Sequence, residues 1–72
     1  MPHFMMDCYY RSSPTAQPVL RESQTIIAPA PMVAVEEAHR RAERLRPHYF
    51  EIRDLSRPDG LIYNSEVDQH GA

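Results

Sequence analysis

At 72 residues the chain has room for one domain with a thin core, because a chain this short buries a smaller share of its surface than a longer one. Its single cysteine, Cys8, excludes an internal disulfide and a cysteine-based zinc site. The usual staples of a small domain are therefore missing, and a net charge of −2, with arginine as the only basic residue type, excludes the strong positive field of a nucleic-acid binder.

That charge is unevenly spread. It balances through Pro31, is +1 over residues 32–47 (four arginines against three glutamates), and is −3 from His48 onward (two arginines against five acids). No apolar run is long enough to span a bilayer, and no charged segment, apolar core and cleavage site announces secretion. With one free cysteine, these features predict a cytoplasmic protein that binds neither membrane nor nucleic acid.

Residues 2–11 alternate as a half-buried strand does. Phe4, Met6, Cys8 and Tyr10 form the predicted core face; His3, Met5, Asp7, Tyr9 and Arg11 form the other. Met5 and Tyr9 leave that second face partly apolar, which suits cover by a partner chain or by the tail. Residues 12–18, with Pro14, Pro18 and two serines, read as a loop. Residues 19–28 carry two signals. Val19, Leu20, Ile26 and Ile27 recur seven apart, as on one side of a helix. The β-branched Thr25-Ile26-Ile27 and the closing prolines favour instead a short strand over residues 25–28, paired with residues 19–21.

A helix is predicted over residues 32–46. Met32, Val35, Ala38, Ala42 and Leu45 make a narrow apolar stripe whose alanines permit close approach to a sheet. Pro31 suits its first position and Pro47 stops it. Glu36 with Arg40 and Glu37 with Arg41 are expected as i, i+4 pairs, with acids near the start and arginines near the end. Residues 49–55 and 61–63 then read as a β-hairpin, with Phe50 and Ile52 sharing a face and Leu61 and Tyr63 pointing opposite to Ile62. Pro58 and Asp59 would form a type I turn, and Gly60 would adopt the left-handed conformation of a following bulge. Residues 65–72 read as a frayed tail. The order predicts an α+β domain closing at residue 65, one helix on an antiparallel or mixed sheet, with 66–72 as a flexible tail.

Two groups of residues resemble known families. Met1-Pro2-His3-Phe4 followed by Asp7-Cys8 resembles the start of the tautomerase superfamily, most closely its carboxymethyl-hydroxymuconate isomerase branch. That resemblance implies that Pro2, freed by removal of Met1, is a general base whose pKa is lowered by an apolar pocket and nearby cations. Under this reading Arg11, just past the strand, is the candidate anchor for a substrate carboxylate. The Met-Pro-aromatic start, Glu37-Ala38 and Phe50-Glu51-Ile52-Arg53-Asp54 before a turn are similar to small bacterial proteins grouped as a domain of unknown function. That second resemblance implies no activity.

The remaining chemistry-bearing residues point to no site. His3, His39, His48 and His70 show no metal-ligand spacing, and His3 and Cys8 fall on opposite faces of one strand. Cys8 lies on the apolar face as a small core residue. The helix arginines are balanced by their own glutamates. The leading expectation is thus a non-catalytic α+β module without metal or cofactor. It would self-associate as a homodimer, and a partner protein is the other binding expectation. The alternative is a proline-based tautomerase using Pro2 and Arg11.

Overall fold

Alternation along β1 (His3–Tyr10) produces the central strand of the molecule. The structure, a computed structural model, describes residues 1–57 and 60–67. Four strands form one antiparallel sheet in the order β2-β1-β3-β4, where β2 is Val19–Ile27, β3 is Tyr49–Asp54 and β4 is Leu61–Asn64. The helix α1 (Pro31–Leu45) covers one face. The expected α+β class is therefore the observed one, with a sheet that is antiparallel throughout.

The even-numbered face of β1 makes the core. Phe4, Met6 and Cys8 are fully buried between Ile26 of β2 and Phe50 and Ile52 of β3, beneath Ala34 and Ala38 of the helix. Tyr10, at the end of the same face, is half-buried and packs against that cluster. The apolar stripe on the helix differs from expectation at its start. Met32 is 73% exposed, and Ala34 takes the buried place. The reason is angular: at about 100° per residue, position 32 lies some 200° from position 34, whereas 34, 38 and 42 form one i, i+4 row facing the sheet. The ion pairing also shifts. Arg40 and Arg41 both reach Glu37, at 3.5 and 2.9 Å, so the expected Glu36–Arg40 pair is replaced, and no acid occupies the first turn. Pro31 does stand at the helix start, and the helix ends at Leu45, before Pro47.

Residues 19–27 are one continuous nine-residue strand paired with β1, not a short strand paired with its own neighbour. The physical cause also explains the helix-like spacing. A bulge between the Cys8–Glu22 and Tyr9–Leu20 pairs leaves Arg21 as an extra residue. Residues seven apart fall on opposite faces of a regular strand; the bulge resets the parity, so Val19 (opposite Tyr10) and Ile26 (opposite Phe4) share the helix-covered face.

The hairpin forms as expected, but its details do not. No described glycine has positive φ, so Gly60 is not left-handed. It is required for close approach: a Cβ there would run into the Asp54 carbonyl oxygen, and the Gly60 oxygen accepts the Asp54 N–H at 2.7 Å. Asp54 opens the turn by accepting the Ser56 N–H (2.9 Å) and hydroxyl (2.6 Å) on Oδ1. A bulge at Ile62, between the Ile52–Tyr63 and Arg53–Leu61 pairs, puts Leu61 and Tyr63 on opposite faces, correcting the expected shared direction. The turn expected at Pro58 and Asp59, and residues 68–72 with His70, lie outside the described residues. Ser65–Val67 form one helical turn, and Ser65 is buried, its Oγ accepting the Phe50 N–H at 2.9 Å.

Candidate functional site

The two residues singled out for catalysis lie at opposite ends of β1. Pro2 is exposed, and its carbonyl accepts the Ala28 N–H at 3.2 Å at the outer margin of the sheet. Arg11 extends past the far end, where Nη1 donates to the Pro14 carbonyl (3.0 Å) and Nη2 to His48 Nδ1 (3.2 Å). Nine residues of extended chain separate them by about 30 Å. The fold does not bring Pro2 and Arg11 together within one chain.

The face of the sheet opposite α1 is organised by charge. Asp7 is only 7% exposed there, accepting the Ser23 hydroxyl at 2.8 Å and Arg53 Nε at 3.3 Å. Glu51, its direct cross-strand neighbour, accepts the Tyr9 hydroxyl (3.2 Å) and Asn64 Nδ2 (3.0 Å). Four donors thus offset the repulsion of two adjacent carboxylates. Tyr9 stacks on Tyr49 with ring centres 4.6 Å apart. Around this polar centre Leu20, Ile27 and Leu61 are about half exposed.

The edge of β2 is guarded. Arg41 donates through Nη1 to Gln24 Oε1 (3.1 Å) and to the Thr25 carbonyl (3.2 Å), while its Nε holds Glu37. A charged side chain therefore covers a carbonyl that would otherwise invite another strand. The hydrogen bond from Arg41 is the main reason that the Glu37 carboxyl lies below its ordinary 4.5. The clamp is in force at neutral pH and is lost as acid protonates Glu37 below that value. Arg41→Ala is expected to lower stability by about 1 kcal/mol and to increase light scattering on heating, whereas Arg40→Ala, on the solvent side, should change little. Equal behaviour of the two variants would refute the guarding role.

Burial, first, and then Glu22 and Asp7 push the Cys8 thiol above its ordinary 9.0. The Tyr9, Tyr10 and Tyr49 phenols are pushed above 10.0, again chiefly by burial. All four hold their protons more tightly folded than unfolded, so they contribute stability in full below about pH 9, and it is lost as pH rises through their raised values. Melting temperatures should fall from about pH 9 to about pH 11, with a shallower slope in Tyr9→Phe. An unchanged melting temperature across that window would contradict the assignment.

A cleft of about 660 Å³ opens between the C-terminal half of α1 and β3, on the helix-covered side of the sheet. Its walls include His39, Glu43, Arg46, His48, Phe50 and Ser65. His39 sets its ring edge-on to Phe50 (5.2 Å, 82°), with Nε2 2.9 Å from the Tyr63 hydroxyl. His48 accepts from Arg11 on Nδ1, so Nε2 carries the proton and faces Glu66 Oε2 at 3.5 Å. Arg46 caps the helix in the left-handed conformation (φ 57°), its N–H donating to the Ala42 carbonyl at 2.8 Å. Among the described residues no group of three or more His, Cys, Asp or Glu could hold a metal ion, and no helix is long and apolar enough to cross a membrane.

No motif in the sequence marks this cleft: Ser65 falls in the expected tail, and Arg46 reads only as a helix-end cation. One signal was available: an arginine stands between the last helical residue and Pro47, where a glycine is the usual cap. Compared with protein-family models, with curated proteins and with solved structures, the chain matches none.

Proposed function

We propose that the protein is a small, non-catalytic, cytoplasmic module that self-associates as a homodimer and acts as an interaction or accessory protein. One observation carries this reading: α1 covers one face of the sheet, and the other face carries Leu20, Ile27 and Leu61 half-exposed around a polar centre whose two carboxylates are held by internal hydrogen bonds. Four strands and about seven residues span roughly 19 by 24 Å, about 450 Å² in projection. Side-chain relief brings the accessible area toward the ~800 Å² per partner of a standard interface. A two-fold arrangement lets each copy present the same face to the other. The single cysteine, buried and unbonded, suits a reducing compartment.

Sedimentation velocity is the direct test. A dimer is expected at micromolar concentration, converting to monomer in the Leu20→Asp/Ile27→Asp double variant while the melting temperature moves little. A folded wild-type monomer across that range would overturn the proposal. The tautomerase alternative makes a separate demand: intact mass must show loss of Met1, and an enol–keto substrate must turn over in wild type but not in Pro2→Ala. The self-association reading expects no turnover.

A further inference from the structure

We infer that the cleft beside the C-terminal end of α1 binds an oxyanion, a carboxylate or a phosphate, carried on a compact apolar body. Its volume lies in the range of small-molecule sites. Arg46 supplies the first argument. A residue with a Cβ is disfavoured in the left-handed region, and glycine would occupy this cap more cheaply. The strain falls at the wall of a cleft, where backbone strain and function tend to coincide. Arg11, Arg40, Arg41 and Arg53 are each tied to a partner; the guanidinium groups of Arg21, Arg44 and Arg46 make no hydrogen bond or ion pair among the described residues, and of these three Arg46 is the one on the cleft wall.

Ser65 supplies the second argument. Its side chain is buried and its oxygen already accepts the Phe50 N–H, so the hydroxyl proton remains available to an acceptor in the cleft. Of the four carbonyls at the helix end two are answered, Ala42 by the Arg46 N–H and Leu45 by the Tyr10 hydroxyl at 3.0 Å, so the end's opposition to an anion is reduced and falls to Arg46 to outweigh. Ala42, Pro47 and Phe50 offer apolar surface for the body of the ligand. Glu43, on the same wall, disfavours polyanions and so restricts the ligand to a single anionic group. The cleft lies on the opposite side of the sheet from the face assigned to self-association, and the inference holds whether or not the chain dimerises.

Titration of ¹⁵N-labelled protein with benzoate, phenyl phosphate and neutral benzyl alcohol tests it. Benzoate or phenyl phosphate should shift the amides of Arg46, Phe50 and Ser65 and saturate in the millimolar range, and benzyl alcohol should not. The tighter of the two anions identifies the head group. Arg46→Gly should melt higher than wild type because the cap strain is relieved, yet bind about tenfold or more weakly, while Arg46→Lys keeps measurable binding. The rise in melting temperature separates lost binding from lost fold. Equal binding by Arg46→Gly and wild type, equal shifts with benzyl alcohol, or no shifts at these amides would each overturn the inference.

Discussion

Phe4→Ala is expected to leave much of the protein unfolded at 37 °C. Phe4 is 1% exposed near the start of β1, with Ile26 opposite it on one neighbouring strand and Asp54 on the other. Truncating a buried phenylalanine costs about 3–5 kcal/mol, because the transferred surface is lost and the cavity refills only in part. A chain of 72 residues commands only about 4–11 kcal/mol in all. No disulfide offsets the loss, since Cys8 is unpaired. Met32→Ala, at an exposed helix position, should stay within about 0.5 kcal/mol of wild type. Urea denaturation followed by circular dichroism gives both values. A Phe4→Ala midpoint close to that of Met32→Ala would show that the core lies elsewhere.

Gly60→Ala is the second substitution expected to have a large effect, about 1–3 kcal/mol. The added Cβ meets the Asp54 carbonyl, which is backbone held in the β3–β4 connection, so relief requires moving the strand end itself. Conformation and contact can be told apart. A glycine needed for positive φ would be replaced well by asparagine, which tolerates the left-handed region. A glycine needed for space rejects asparagine as firmly as alanine. Because Gly60 has no positive φ, Gly60→Asn should be no better than Gly60→Ala. A near-neutral Gly60→Asn in thermal melts would restore the turn geometry that the sequence suggests.

The parts of the site that the sequence exposed were those governed by short motifs, and they were not enough. Pro2 and Arg11 stand out by position, yet their separation along β1 follows only from the extended chain. Asp7 reads as a solvent-facing residue in the alternation of β1, but it is buried because Ser23 and Arg53 arrive from two other strands. Arg46 and Ser65 acquire meaning from a cleft whose walls lie far apart in sequence.

What the chain determined by itself is the set of local periodicities. The even face of β1 became the core because alternating apolar residues can be buried together only on one side of a strand. The helix lies between Pro31 and Pro47 because proline favours the first turn and cannot continue a helix, and the hairpin follows from two apolar runs around a turn. Tertiary structure alone decided the pairing of β2 with β1, the extra residues Arg21 and Ile62, and the Arg41 contact with the β2 edge. Each of these depends on register between segments distant in sequence. Local propensity cannot specify which residue of one strand meets which residue of another; that choice is made by the joint burial of Phe4, Met6, Ile26 and Ile52.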